Sequence, residues 1–195
     1  MERATWFAAI LLLAVASSCT TSHPSTNESS SVIPMQLFYF SSLPEMVATS
    51  DLVIEGTVKS VEPGRVVGEG DAAIQFGQVT LSVNRVLFGK TEFSSVVLEE
   101  FGLESGHPSQ VGDHGVYFLT QKNDGQGPQF FRIVNSQGRF LDDGDSKLIA
   151  IDDQSVWVKL IEGMSLSELQ AEVDVAATAV RQGRVEPAKP NFGQG

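Results

Sequence analysis

Cysteine occurs once in these 195 residues, at position 19. No disulfide can form within the chain, so the domain must hold together by its core alone. Positive charge is also scarce: 13 Lys and Arg against 24 Asp and Glu leave a formal net charge of -11. A surface of that sign repels phosphate backbones and anionic lipid head groups. It argues against nucleic acid as a partner and serves solubility. No apolar run is long enough for a comfortable permanent membrane span. No glycine loop matches a phosphate-binding or dinucleotide-binding pattern; Gly68-Glu69-Gly70 fits neither. No serine sits in a G-x-S-x-G elbow, and there is no internal repeat. What is present suffices for a folded body. Hydrophobic residues make up 42% and charged residues 19%, which excludes wholesale disorder. The length suits one domain with a leader and tails.

The leader reads as an export signal. Residues Trp6 to Ala16, WFAAILLLAVA, have the length and apolarity of a signal-peptide core. The segment before it carries little positive charge, because Glu2 offsets Arg3. Ala16-Ser17-Ser18-Cys19 resembles a bacterial lipobox. That resemblance implies cleavage before Cys19 and a diacylglycerol thioether on its sulfur, with further acylation of the palmitate type. A polar stretch, TTSHPSTNESSS, follows at once, as a tether should. Acyl chains contribute about 0.8 kcal/mol per buried CH₂, so two on one residue anchor stably. The alternative is free secretion, since Ala14-Val15-Ala16 is itself an A-x-A cleavage site. The expected organisation is a signal peptide over 1–18 and a lipidated tether over 19–41. A folded domain over 42–183 and a disordered tail over 184–195 complete it.

Within the body, Ser42 and Glu45 have capping-box spacing with Pro44 in the first turn, which predicts a short helix to about Thr49. Alternation of Leu52, Ile54 and Val58 with Glu55, Thr57 and Lys59 predicts a strand over Leu52–Glu62, with Gly56 marking a bulge or bend. Pro63–Gly77 reads as a loop. Strands follow at Val79–Val83, Ser95–Phe101, Val116–Leu119 and Phe130–Val134, with a long polar loop over Gly102–Gly115. Residues 138–141 and 147–151 form a hairpin around the Asp142–Asp145 tip, and Val156–Ile161 reads as one more short strand. The last element is a helix opened by the Ser165/Glu168 capping box and the Met164/Leu169 staple. Its stripe is Leu166, Leu169, Val173, Ala176, Ala177 and Val180, and Gly183 follows it. These elements predict a mainly β fold. They form a small OB-like β-barrel with a short N-terminal helix and a C-terminal amphipathic helix.

The order Ser50-Asp51-Leu52-Val53-Ile54-Glu55-Gly56-Thr57-Val58, Val86-Leu87-Phe88-Gly89-Lys90, Gly112-Asp113-His114-Gly115-Val116-Tyr117-Phe118-Leu119 and Gln137-Gly138-Arg139-Phe140 resembles a known pattern. It is similar to a family of uncharacterised exported bacterial proteins, common in actinobacteria. More distantly it resembles the OB-like barrel of netrin-type and tissue-inhibitor-of-metalloproteinase domains. The likeness covers residues 43–142 and implies a barrel. The inhibitors' zinc-ligating N-terminal cysteine and disulfides have no counterpart here, so their mechanism is not implied.

Few residues could carry chemistry. His23 lies in the tether, while His107 and His114 share one loop region near Ser105 and Asp113. A hydrolase would build on that loop, and a metal could use His107, Asp113 and His114, but the spacing matches no closed site. Asp142, Asp143 and Asp145 lack the register of a calcium loop and read as a polar hairpin tip. Trp157 reads as a core or seam residue, with a ligand platform as the alternative. The expectation is therefore no catalytic residue, no metal and no cofactor. The protein would be a lipoprotein on the outer face of the bacterial cytoplasmic membrane, joined to the bilayer through Cys19. It would act as a non-enzymatic binding module toward an envelope protein or glycan. His107, His114 and Trp157 are its ligand-facing candidates. The alternatives are an envelope hydrolase using the His107–His114 loop and a secreted structural protein without a ligand.

Overall fold

The computed structural model describes residues 38–70, 73–101, 108–123, 125–145, 147–151 and 155–190. Ser42 caps the first helix by accepting the Glu45 N–H, with proline in the first turn, and α1 runs Leu43–Thr49. Its apolar residues Leu43, Met46 and Val47 are buried. Seven strands follow: β1 (Leu52–Val67), β2 (Ile74–Gly89), β3 (Ser95–Phe101), β4 (His114–Gln121), β5 (Phe130–Ile133), β6 (Arg139–Asp142) and β7 (Leu148–Ala150). Two helices close the order, α2 (Val156–Ile161) and α3 (Leu166–Arg181). The protein is thus mainly β.

The strands form one sheet in the order β1-β2-β3-β5-β4-β6-β7, and β4 pairs in addition with β1. Pairing therefore runs in a ring, β1-β2-β3-β5-β4-β1, with β6 and β7 continuing from β4. Every pair is antiparallel except β3 with β5. The ring closes where Leu52–Thr57 lies against Leu119–His114.

The ring has apolar packing on both sides. One cluster holds Leu52, Ile54, Val79, Leu81, Leu98, Tyr117, Leu119 and Phe131. The other joins Val53, Val116, Phe118 and Phe140 to residues of α1, α2 and α3. Strands β1 and β4 contribute alternate residues to both. That is why Val116-Tyr117-Phe118-Leu119 is apolar without a break: both of its faces are covered.

Helix α3 carries the full capping box at Ser165 and Glu168. Its predicted stripe is seated in the core, with Leu169, Val173, Ala176 and Ala177 buried and Met164, Leu166 and Val180 packed against them. Gln137, almost fully buried, joins distant segments: its carbonyl oxygen accepts the Phe40 N–H at 3.2 Å, and its amide donates to the Ser155 hydroxyl. After α3 the chain returns to the core, where Ala188 is buried and its N–H donates to Thr49 Oγ1 at 2.8 Å.

Two sequence expectations are corrected. Residues 63–67 and 74–77 are strand rather than loop. β1 runs on to Val67 and β2 starts at Ile74, with a register shift between Pro63 and Val66. Both faces of this hairpin end are largely exposed, so no apolar alternation marks it, and main-chain pairing sustains it instead. Residues 156–161 form helix α2 rather than a strand. Val158 and Ile161, three apart, are buried, so packing selects the helix against the strand preference of Val-Trp-Val. Gly56 does mark an irregularity, since the β1–β2 register shifts between Glu55 and Gly56. A Cβ there would lie 3.0 Å from the Ser82 carbonyl oxygen.

Candidate functional site

A charged and aromatic groove lies across β2, β3 and β5, and strand alternation builds it. On β3, Val96 and Leu98 are buried. Glu100 follows their side of the strand, and Glu99 and Phe101 take the other. Glu99 accepts two hydrogen bonds from Arg65, Nε to Oε2 at 2.7 Å and Nη2 to Oε1 at 2.9 Å. Lys122 Nζ lies 2.6 Å from the same Oε1. Burial alone would raise the Glu99 carboxyl, but the hydrogen bonds and charges of Arg65 and Lys122 outweigh it and hold its pKa below the ordinary value. The Arg65 guanidinium also lies 5.2 Å from the centre of the Phe76 ring, and Phe76 meets Phe101 at 5.4 Å with a tilt of 56°.

On the other side of β3, Glu100 reaches a buried cation. Arg139 is 1% exposed; its Nη1 donates to Glu100 Oε1 at 2.9 Å and to Ser109 Oγ at 2.7 Å. The Ser109 N–H donates to Glu100 Oε2 at 3.2 Å. A charge at this depth is tolerable only because it is paired and hydrogen-bonded. The Tyr117 hydroxyl is buried with no hydrogen-bond partner among the described residues, and burial raises its pKa far above the ordinary value.

These groups line three hollows that have Arg65 in common. One of about 240 Å³ is lined by Arg65, Phe76, Phe101, Arg132, Ile133 and Arg139, among others. One of about 360 Å³ lies between Arg65, Gln121, Lys122, Asn123 and Arg132. One of about 200 Å³ runs from Arg65 past Gln78 and Glu99 to Phe130. Arg65 borders all three. Four cations and two carboxylates thus border these hollows in an acidic protein. A larger hollow of about 640 Å³ opens where β1 begins and β2 ends, but it is wide, and only Lys90 faces its acids Asp51 and Glu92.

The residues singled out from sequence lie elsewhere. His114, at the start of β4, sits with Nε2 3.2 Å from Glu55 Oε1 and Nδ1 3.8 Å from Asp142 Oδ2. Glu55 in turn accepts Gln170 Nε2 at 2.7 Å, and Gln170 accepts Arg85 Nη1 at 3.0 Å. His114 therefore belongs to a chain of contacts tying α3 to β1, β2, β4 and β6, and it lines none of these hollows. Trp157 is partly buried at a seam, its indole N–H donating to the Phe40 carbonyl at 2.8 Å. Asp142 and Asp143 accept backbone N–H groups of their own turn. Among the described residues, no group of three or more His, Cys, Asp or Glu could hold a metal ion. Cys19, Ser105 and His107 lie outside the described residues.

Sequence reasoning missed Arg65, Phe76, Glu99, Phe101, Lys122 and Arg132. They come from five separate segments, and no local motif joins them. A faint signal was Arg132, a lone charge inside the apolar run Phe130–Val134. No protein-family model matches the chain, and no curated protein matches it in sequence.

Proposed function

We propose that this protein is a non-enzymatic binding module of the bacterial cell envelope. An OB-like barrel carries it, and acylated Cys19 tethers it to the outer face of the cytoplasmic membrane. The five-strand ring of pairings and its short flanking helices support the barrel reading. OB barrels take ligands on the strand 2–3 face and its neighbouring loops, and the location of Phe76 on β2 and of Glu99 and Phe101 on β3 supports that reading of the groove. The observation that carries the proposal is the gathering of Arg65, Lys122, Arg132 and an aromatic pair around hollows on a molecule of net charge -11. Cations concentrated against the overall charge mark a surface with a partner to meet. Among the described residues, no helix is long and apolar enough to cross a membrane; the proposed lipid attachment is supported by the position of Cys19 behind the apolar run Trp6–Ala16.

The test is retention of the native chain by its own envelope after mild crosslinking. Wild type should recover one stoichiometric protein or glycan component, and Arg132→Glu should lose it while remaining folded. Equal recovery by both proteins would sink the groove as the binding face. An envelope hydrolase activity abolished by His114→Ala would overturn the non-enzymatic reading.

A further inference from the structure

The charges of the groove can be matched one by one. Arg65 and Lys122 share Glu99, and Arg139 is held by Glu100. Arg132 remains. Its side chain is exposed on β5, makes no hydrogen bond or ion pair among the described residues, and borders both the 240 Å³ and the 360 Å³ hollows. A guanidinium exposed at the mouth of a hollow, beside an Arg–Glu network, is available for a bidentate pair with a carboxylate.

We infer that the hollow bounded by Arg65, Phe76, Phe101, Arg132 and Arg139 binds a single ring-bearing monocarboxylate, with Arg132 gripping the carboxylate. The inference rests on the groove being the binding face. Charge selects the monoanion: three guanidiniums line the hollow, those of Arg65, Arg132 and Arg139, against two carboxylates, Glu99 and Glu100, which leaves one positive charge over and penalises a second negative one. A phosphate monoester carries about -1.5 to -2 at neutral pH, more than this wall accommodates. Geometry selects the carboxylate, since a planar fork accepts two parallel hydrogen bonds, as Arg65 already shows with Glu99. Size and lining select the body. The hollow, about 240 Å³, falls below the roughly 300–1,000 Å³ of drug-sized sites, and Phe76, Phe101, Ile133 and Ile151 supply apolar walls. A single compact ring fits both conditions. It is a sugar acid or an aromatic acid, two sources of one chemistry.

The experiment titrates the membrane-extracted, ¹⁵N-labelled chain with D-glucuronate and with benzoate, and in parallel with glucose and inorganic phosphate. At least one acid should give saturable amide shifts confined to the neighbourhood of Phe76, Phe101 and Arg132. Saturation by glucuronate alone identifies a sugar acid, and saturation by benzoate alone an aromatic one. Glucose and phosphate should give none. Arg132→Ala should weaken binding about tenfold or more, the scale of a lost hydrogen bond to a charged group. Arg132→Lys should keep part of the affinity, because the charge remains without the fork. Absence of saturation with both acids, phosphate binding as tightly as either, or an unchanged affinity in Arg132→Ala would each overturn the inference. If neither acid binds but Arg132→Glu still loses envelope retention, the groove stands and the monocarboxylate falls. If retention also survives Arg132→Glu, both fall.

Discussion

Glu99 shows how much a single carboxylate can organise. It gathers Arg65 from the β1–β2 hairpin and Lys122 from the end of β4, three segments with no sequence proximity. Its lowered pKa makes it an acid-sensitive element. A carboxyl with a depressed folded value adds stability above its unfolded value of about 4.3, and that stability is lost as pH falls through the lower folded value. Urea midpoints of wild type should therefore drop on acidification below about pH 4.3, and Glu99→Gln should flatten part of that drop. An unchanged slope in the variant would show that the Arg65–Glu99–Lys122 cluster contributes nothing to folding. Little of this was legible beforehand. Glu99-Glu100 reads as one acidic pair, yet the two side chains serve different networks, because alternation along β3 sends them to opposite faces. His114 was legible as a polar residue worth watching, but its partners Glu55 and Asp142 come from other strands and could not be read from its own loop.

At the scale of elements, local signals succeeded where they act locally. The Ser42 cap of α1 and the capping box and stripe of α3 involve residues three or four apart, and both helices formed where those signals stood, although the Glu45 carboxylate of α1 turns to Ser41 instead of closing a box with Ser42. The Val156–Ile161 segment failed the same reading because its residues suit a strand and a helix alike, and burial of Val158 and Ile161 decided. The β4–β6 contact adds a constraint invisible in sequence. A Cβ on Gly115 would lie 2.1 Å from the Phe140 carbonyl oxygen. Gly115→Ala should therefore push β6 away from β4. The expected cost is about 1–3 kcal/mol and toward the upper end, because the obstacle is backbone rather than a side chain that can turn aside. Chemical denaturation measures it, and a loss below about 0.5 kcal/mol, the range of ordinary surface changes, would refute so close an approach.

The whole molecule joins an acidic surface to a local cationic groove, and the proposed anchor decides where that combination acts. Cys19→Ala should move the protein from the membrane fraction to the soluble fraction, and intact-mass analysis of the wild type should show acylation. Membrane recovery of the variant at wild-type level would refute the lipid tether. Composition, the lone cysteine behind an apolar run, the mainly β pattern and the capped C-terminal helix were determined by sequence alone, because each rests on residue type or on spacing of a few positions. Closure of β1 on β4, the choice of helix for α2, the extended β1–β2 hairpin and the meeting of Arg65, Glu99, Lys122 and Arg132 were decided only by tertiary structure. Those outcomes depend on which distant segments pair and pack. A chain's local preferences do not encode that pairing, since the free energy that selects it is released only when the remote partners come together.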